Sequence, residues 1–340
     1  MPSIARGWPL FARADMRPVL FVHAGLHKTG TTALQECLAQ NREALHAHGI
    51  LYPAAGCPGD APAQHNLAWQ LARDRRFHST YGTLDDAAEE IAAHGGNAII
   101  SSEDFETILQ RPYLLNRLAL HPKLRAYRVV IVIYLREQCS YFQSLFLQLT
   151  RNGLTQDAAS LVNTICETGI LRLQDWEFQF DYGRMATKLA HWRNGTLLFR
   201  NHHRLEGGST DLDFLSLVAP GLCLPKAAEG ERINTARNIA DAMQEFYEAR
   251  IGRALTDWQK AELTAAAARV KQDGLQLSLA TKQRIAARFR ASNRKLARVG
   301  GKLMKFPELL ASDDTELTLE QLFSFERQCR LTGSQWPTKL

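Results

Sequence analysis

The feature that most constrains this chain is the apolar run Val19–Val22, which breaks into a turn of glycine, threonine and lysine and then resumes with helical spacing. The run predicts a buried strand, and Leu34, Leu38 and Leu45 predict a helix after the turn. Gly30 allows the backbone to come close to a ligand. The first N–H groups of a helix lack intrahelical partners and the helix dipole is positive there. The turn is therefore suited to an anion such as phosphate or sulfate.

The position of the lysine distinguishes this turn from the usual nucleotide-binding loop. That loop has the pattern G-x-x-x-x-G-K-[ST], with the lysine after the second glycine. Here Gly25 and Gly30 have the required separation, but Lys28 lies between them and Thr31 occupies the usual lysine position. The turn is a variant of the P-loop. Turns of this composition also join strands to helices where no ligand binds, so the spacing alone leaves that interpretation open.

A second motif follows the most continuous apolar run of the chain, Arg128–Leu135. Such a run is typical of a central parallel strand that is covered on both faces. It ends at Arg136, and an amphipathic helix then carries Ser144, eight positions further on. Taken separately, Arg136 could form a salt bridge at a strand end and Ser144 could face solvent.

Taken in this order, the strand, the loop His-Lys-Thr-Gly-Thr-Thr, the second strand and Arg-x7-Ser resemble the sulfotransferases that use 3′-phosphoadenosine 5′-phosphosulfate (PAPS). The likeness is to bacterial and carbohydrate-directed members. It implies that the loop binds the 5′-phosphosulfate, while Arg136 and Ser144 hold the 3′-phosphate. The predicted donor-binding residues are His27, Lys28, Thr29, Gly30, Thr31, Thr32, Arg136 and Ser144.

The resemblance also implies a mechanism without a covalent enzyme intermediate or a metal. An acceptor oxygen attacks the sulfur in line, 3′-phosphoadenosine 5′-phosphate (PAP) departs, and Lys28 neutralises the charge that grows on the bridging oxygen. The histidines show no H-E-x-x-H spacing and the cysteines no C-x-x-C spacing. The chain departs from cytosolic sulfotransferases in having Ala33 in place of a tryptophan that stacks on adenine, and it lacks their C-terminal Arg-Lys-Gly loop.

The candidate catalytic base follows a third apolar run, which begins at Asn97. Glu103 comes just after this run, where open α/β sheets place their ligands, and we predict that it deprotonates the acceptor hydroxyl. His65 is the main competitor because an imidazole titrates in a suitable range. Two alternatives stay open: Glu103 or Asp104 could hold magnesium, and Ser102 or Asp104 could cap the next helix.

The resemblance implies that the acceptor is a hydroxyl of a carbohydrate or glycolipid. Residues 52–76, a predicted loop that leads into a short helix, are the provisional acceptor-recognition segment, since long loops beside a binding edge often shape a substrate pocket. Trp176, Phe178 and Phe180 alternate with polar residues as in a strand. They could line a sugar-binding surface, although core packing explains them as well.

The whole pattern predicts an α/β fold in which a parallel central sheet carries a P-loop-like phosphosulfate loop and helices on both faces. With 340 residues, of which 45% are hydrophobic, the chain can bury a large core. We divide it into a loose extension over 1–15, an α/β core over 16–225 and a helical C-terminal region over 226–340 that packs on the core. Helices are predicted over 235–252, 256–272 and 279–299.

Charge is concentrated in the stretch 282–305, which is strongly basic in a chain of net charge +6. Such a field would attract the anionic donor, an acidic polymer or lipid head groups, so peripheral membrane contact through 282–305 is a further hypothesis. No nucleic-acid partner is expected, since no aromatic-rich RNA motif or recognition-helix pattern is present. The sequence does not indicate an oligomeric state. Six scattered cysteines and the lack of an apolar stretch near twenty residues predict a cytoplasmic protein.

Three functions therefore compete at this point. The first is a PAPS-dependent sulfotransferase. The second is a P-loop phosphotransferase that uses ATP and magnesium, against which the position of Lys28 and the Arg-x7-Ser segment argue. The third is a non-catalytic protein whose basic helices bind an anionic polymer.

Overall fold

A computed structural model describes residues 17–222, 224, 237–269, 276–300, 306 and 318–324. The predicted extension over 1–15 lies outside these residues, as do Lys302 and Lys305 of the basic stretch. All predicted donor-binding and catalytic residues lie within them.

Within the described residues, five parallel strands form the central sheet. They are β1 (Val19–His23), β2 (Ile50–Leu51), β3 (Asn97–Ser101), β4 (Arg128–Leu135) and β7 (Thr196–Asn201), and their spatial order is β2-β3-β1-β4-β7. Two further strands, β5 (Ile170–Leu173) and β6 (Trp176–Gln179), form a separate antiparallel hairpin. The predicted buried strands at 19 and 128 are β1 and β4, and these two pair with each other.

Helices connect the strands and continue beyond β7. They are α1 (Thr31–Gln40), α2 (Arg42–Ala47), α3 (His65–Ala72), α4 (Leu84–His94), α5 (Glu106–Leu109), α6 (Pro112–Ala119), α7 (Gln138–Arg151), α8 (Ala158–Thr168), α9 (Tyr182–Leu189), α10 (Thr210–Val218), α11 (Arg237–Ile251), α12 (Asp257–Ala268), α13 (Leu279–Gly300) and α14 (Leu319–Leu322). The helices predicted over 235–252, 256–272 and 279–299 agree with α11, α12 and α13.

Helices cover both faces of the sheet. Alternate residues of β1 point to opposite sides, so Phe21 joins one apolar cluster with residues of α1 and α10, while Val22 joins the other with residues of α3 to α9. Because β4 is apolar at nearly every position, both of its faces are buried. The predicted α/β fold with a parallel central sheet is therefore confirmed.

The C-terminal helices share the larger of these two apolar clusters. α13 lies against α9, where the Gly183 N–H donates to Ser292 Oγ at 2.8 Å and Ser292 Oγ donates to Asp181 Oδ1 at 2.6 Å. A Cβ atom at Gly183 would lie 2.3 Å from the Ser292 carbonyl oxygen, so only glycine permits this approach. Of the helices in the described ranges, none has the length and apolar character needed to cross a bilayer.

A buried ion pair holds α10 against the sheet. Arg200, near the end of β7, donates through Nε to Asp213 Oδ2 at 2.9 Å, and the Tyr134 hydroxyl of β4 donates to the same oxygen at 2.7 Å. Asp213 lies in α10 and is fully buried. This pair determines where the start of α10 lies relative to the carboxyl edge of the sheet, which is the edge that carries the candidate site.

Candidate anion site and adjoining cavity

The loop between β1 and α1 is held by hydrogen bonds on both sides. The Leu26 N–H donates to the Tyr134 carbonyl of β4 at 3.2 Å, and Thr29 Oγ1 donates to the Leu26 carbonyl at 2.6 Å. From α10, Thr210 Oγ1 donates to the Thr29 carbonyl at 2.7 Å. Thr29 is one of the residues predicted to bind PAPS, but its hydroxyl is used within the loop. Its N–H is therefore the group that can contact a ligand.

Helix α1 begins at this loop. Gly30 is its N-cap residue, with φ of 78°, and no side chain caps the first N–H groups among the described residues. A Cβ atom at Gly30 would lie 2.7 Å from Thr210 Oγ1, so the position accepts only glycine. Thr31 is buried and Thr32 is exposed at this helix start. The uncapped N–H groups and the positive end of the helix dipole are thus available to an anion.

Two of the predicted donor residues, Lys28 and Arg136, lie side by side. Arg136 Nη1 donates to the Lys28 carbonyl oxygen at 3.0 Å, although the two residues are far apart in the sequence. Burial, followed by the charges of Arg136 and Arg151, lowers the pKa of Lys28, and burial also lowers the pKa of Arg136. Both shifts reflect positive charge that is taken out of water.

Neither cation has a carboxylate partner in the described part of the chain. The ion pairs found there include neither Lys28 nor Arg136. Largely buried charges in proteins are normally paired, because desolvation of a lone charge is costly. Two adjacent cations that form no ion pair among the described residues, at an uncapped helix start, therefore make a candidate site for an anionic ligand.

Polar atoms near these cations are also buried without partners. Arg136 Nε, His202 Nδ1 and Ser209 Oγ have no hydrogen-bond partner within the described ranges. The ring of His202 lies 3.8 Å from the position of a Cβ atom at Gly30, and Ser209 directly precedes Thr210. The sequence analysis missed His202 and Ser209. Their position after β7 was the available signal, since the carboxyl ends of parallel strands meet at one edge.

Ser144 lies on the same connection as Arg136. Arg136 comes directly after β4, and Ser144 is six residues into α7, which is a rise of about 9 Å along the helix. It is half-buried and lies one turn before Gln148, which lines a cavity together with His65 and Glu103. In contrast to α1, the start of α7 is capped: Glu137 accepts hydrogen bonds from the Cys139 and Ser140 N–H groups, at 3.0 and 2.9 Å.

Lys28, Arg136 and the start of α1 form the candidate anion site. A cavity of about 240 Å³, lined in part by His27 next to Lys28, adjoins this site. This is smaller than the roughly 300–1,000 Å³ of most ligand pockets, so it suits a group of about one ring. Its lining combines aromatic, acidic and amide side chains. The lining residues are His27, His65, Trp69, Arg76, Glu103, Asp104, Leu145, Gln148, Leu149, Asn152, Trp176 and Phe178.

The cavity brings together residues from separate parts of the sequence. The ring of His27 packs on Phe178 at a centroid distance of 5.1 Å, so this predicted donor residue directs its side chain to the cavity wall. His65 and Trp69 come from α3, within the predicted acceptor segment over 52–76. Trp176 and Phe178 line the cavity from β6, and Phe178 and Phe180 both belong to the apolar core.

The two candidate bases, Glu103 and His65, face each other in this cavity. Their Oε2 and Nδ1 atoms are 4.0 Å apart. Gln35 of α1 donates through Nε2 to Glu103 Oε2 at 2.7 Å, which ties Glu103 to the helix that begins at the anion site. The charge of Glu103 also acts on Lys28, where it opposes the lowering of the lysine pKa.

The environment of His65 favours its protonated form. Nδ1 lies 2.9 Å from Ser102 Oγ and 3.2 Å from Asp104 Oδ2. Burial alone would lower the pKa of His65, but the hydrogen bond to Asp104 and the charges of Glu103 and Asp104 outweigh it and raise the pKa above 6.5. Nδ1 of His65 is engaged by Ser102 and Asp104, whereas Glu103 Oε2 accepts one hydrogen bond, from Gln35, so Glu103 is the better placed of the two.

Asp104 and Ser102 organise the cavity. Ser102 Oγ accepts from the Asp104 N–H at 3.1 Å and caps the short 3₁₀ helix Glu103–Phe105, which confirms the capping alternative for Ser102. Asp104 accepts from Trp69 Nε1 at 2.9 Å and lies 3.6 Å from Arg76 Nη1. Within the described ranges, no group of three or more histidine, cysteine or acidic side chains is arranged to hold a metal ion.

No family model, curated protein or solved structure matches this chain.

Proposed function

We propose that this protein transfers a sulfuryl group from PAPS to a hydroxyl of a carbohydrate or glycolipid. One observation carries the proposal: Lys28 and Arg136 are adjacent, largely buried and without an acid partner among the described residues, beside the uncapped start of α1. The order of the motifs around them resembles that of PAPS-dependent sulfotransferases.

The donor would occupy the carboxyl edge of the sheet. Its 5′-phosphosulfate would accept hydrogen bonds from the N–H groups of Gly30–Thr32 and pair with Lys28. Its 3′-phosphate would bind the guanidinium of Arg136, with a further hydrogen bond from Ser144. The buried Arg136 Nε, which has no partner among the described residues, supports this assignment.

In the reaction, the acceptor oxygen forms a bond to sulfur as the bond between sulfur and the bridging oxygen breaks. The hydroxyl proton passes to Glu103, and PAP leaves with its new negative charge beside Lys28. Gln35 holds one oxygen of Glu103. His65, whose Nδ1 lies 2.9 Å from Ser102 Oγ and 3.2 Å from Asp104 Oδ2, would line the acceptor side rather than accept the proton.

The cavity lined by Trp69 and Trp176 is the proposed acceptor site. The Arg76 guanidinium lies over both indole rings, at 5.0 and 5.8 Å, and His65 stacks on Trp69, so a sugar would contact the indole surface that these groups leave. Carboxylate and amide oxygens of the cavity would accept hydrogen bonds from its hydroxyls. We also retain a cytoplasmic location as part of the proposal. Cys37, Cys57, Cys139 and Cys166 are free thiols, as a reducing compartment would keep them.

Calorimetry with PAP, and separately with ATP and magnesium, tests the donor assignment. Preference for PAP supports the proposal, preference for ATP with magnesium supports a phosphotransferase, and binding of neither supports a non-catalytic protein. Incubation with ³⁵S-labelled PAPS and a panel of sugars and glycolipids then identifies the acceptor. Transfer of label to none of the hydroxyl compounds, despite tight PAP binding, would contradict the acceptor class.

A further inference from the structure

A carboxyl group that the proposed reaction does not use lies directly behind the donor loop, which is the segment 24–30 between β1 and α1. Glu106 begins α5 and is 0% exposed. Three donors converge on it: the His27 N–H at 3.2 Å, the Tyr141 hydroxyl at 3.1 Å and the Gln179 N–H at 2.6 Å. These three hydrogen-bonding groups come from the donor loop, from α7 and from β6, so the Glu106 side chain joins three separate elements.

The three connected elements each carry part of the candidate site. His27 directly precedes Lys28 in the donor loop, α7 carries Ser144, and β6 carries the cavity residues Trp176 and Phe178. Glu106 itself follows Glu103 by three residues. A buried carboxyl group is costly unless it is hydrogen-bonded, and no cation pairs with Glu106 among the described residues.

We propose that Glu106 is a positioning residue, which fixes the donor loop relative to the wall of the acceptor cavity through its bonds to His27 and Gln179. This inference rests on the proposed function for its catalytic consequence. The bonds themselves act on the loop whatever the ligand is. Loss of one bond would let Lys28 and the cavity wall move independently, which is costly where reacting atoms must be held in line.

The surroundings of Glu106 make this link sensitive to pH. Its titratable neighbours are His27 in the loop, Tyr141 in α7, Glu177 in β6 and Tyr182 in α9. Burial raises the pKa of Glu106 to about 8, against the opposing effect of its three hydrogen bonds. An anion in the loop favours the protonated carboxyl. Binding of PAP should therefore draw a proton onto Glu106 near pH 8.

Glu106→Gln tests the proposal, because the amide keeps the shape but turns an N–H₂ group toward one of the two backbone N–H donors. Glu90→Gln is the matched control. Glu90 accepts hydrogen bonds from the Ala54 and Ala55 N–H groups, at 2.8 and 3.0 Å, away from the donor loop. Glu106→Asp replaces Glu106→Gln if that variant fails to fold, because a side chain shorter by one methylene group cannot hold both the His27 and the Gln179 N–H groups.

The first measurement is amide hydrogen exchange, which does not depend on sulfotransferase activity. We expect exchange at His27 and Gln179 to be at least tenfold faster in Glu106→Gln and unchanged in Glu90→Gln. Unchanged exchange at both amides in Glu106→Gln, or in a folded Glu106→Asp, would overturn the proposal. This result is independent of whether PAPS is the donor.

The second measurement uses PAP and the acceptor found by labelling. Glu106→Gln should lower kcat about tenfold with a smaller change in the KM for the acceptor. In calorimetry at pH 8 with two buffers of different ionisation enthalpy, its proton uptake on PAP binding should be smaller than that of the wild type. A wild-type kcat and the same proton uptake would contradict a positioning role. Failure of the wild-type protein to bind PAP would instead contradict the proposed function.

Discussion

Lys28 combines an unusual backbone conformation with a charge that has no acid partner among the described residues. Its φ is 64°, in the left-handed region that a lysine seldom adopts. Strain of this kind costs on the order of 1–3 kcal/mol and is found where surrounding contacts hold the backbone in place. Here the hydrogen bond from Arg136 to the Lys28 carbonyl is such a contact. The strained residue is also the one that the proposed reaction needs nearest the bridging oxygen.

Lys28→Ala should reduce sulfuryl transfer by about a hundred- to a thousandfold, since it removes the charge that stabilises the leaving group. The expected measurement is the initial rate of ³⁵S transfer from PAPS. Lys123→Ala is the matched control, because Lys123 pairs with Glu89 on the surface. Activity of the Lys28 variant at the wild-type level would remove the proposed role.

Glu103→Gln should lower turnover on the order of 10²–10⁴-fold and leave the affinity for PAP within a factor of about two. The amide cannot accept the hydroxyl proton but keeps a similar shape beside Gln35. His65→Gln should have a smaller effect on turnover, since the pKa of His65 is raised and its ring is held by Asp104. Rates and PAP calorimetry on both variants check this. A greater loss of turnover in His65→Gln than in Glu103→Gln would instead identify His65 as the base.

The stability of the protein should fall as the pH rises toward about 8. The pKa of Glu106 is raised from 4.5 to about 8 in the folded state, so the folded protein binds the proton more tightly than the unfolded chain. The stabilisation is complete below pH 4.5 and is lost as the pH rises through about 8. Between these values the contribution of Glu106 to the free energy of unfolding falls by about 1.4 kcal/mol for each step of one in pH, and above pH 6.5 it is no longer opposed by the buried His23 and His202, whose pKa values burial lowers to about 4. Urea unfolding at pH 6 and pH 9 measures the change.

Glu106→Gln is the control for this pH dependence, since its side chain does not titrate. The variant should show a smaller difference in the free energy of unfolding between the two pH values. An equally large difference in the variant would show that other groups cause it.

At the scale of elements, the donor loop depends on α10 as well as on β1. Thr210 at the start of α10 bonds to the Thr29 carbonyl, and Asp213 in the same helix bonds to Arg200 and Tyr134. The sheet thus positions α10, and α10 positions the loop. Sequence patterns predict β1 and the turn that follows it, but they do not indicate this connection to α10.

Asp213→Asn should destabilise the fold by about 3–5 kcal/mol, because it removes a fully buried carboxylate that pairs with Arg200 and accepts a hydrogen bond from Tyr134. It should also weaken PAP binding through the shift of Thr210. Denaturant unfolding and calorimetry measure the two effects. Asp175→Asn is the control, since Asp175 pairs with the exposed Arg75. A similarly small loss of unfolding free energy in both variants would show that the buried carboxylate does not stabilise the fold.

At the scale of the whole molecule, the basic stretch 282–305 divides into two parts on α13. Lys282 is buried and donates to Gln276 Oε1 at 3.0 Å, so it does not belong to the surface. The other face of the helix is exposed and basic along much of its length. Its members are Arg284, Arg290, Arg294, Lys295 and Arg298.

This exposed basic face should bind anionic lipid vesicles at low salt and release them at high salt. A triple variant, with Arg290, Arg294 and Arg298 changed to glutamine, should lose about 1 kcal/mol of binding free energy per charge. Vesicle co-sedimentation over a salt series measures this. Equal binding of the wild type and the variant, or no binding at low salt, would show that the peripheral membrane hypothesis is wrong.

The sequence alone determined the strands at 19 and 128, the three helices after residue 235, and the α/β class. These follow from local periodicity, which records how each segment buries its apolar side. It also singled out Lys28 and Arg136, since each lies at the end of an apolar run, where parallel strands deliver their polar residues.

Only the tertiary structure decided what these residues contact. The hydrogen bond between Arg136 and Lys28, the contact of Glu103 with Gln35, and the convergence of three donors on Glu106 all join residues far apart in the chain. No sequence motif marks His202 and Ser209, and only the fold brings their buried polar atoms to the edge of the sheet near Gly30. Such contacts depend on the strand order and on how the helices pack across the sheet edge. Periodicity along the chain does not encode either one directly.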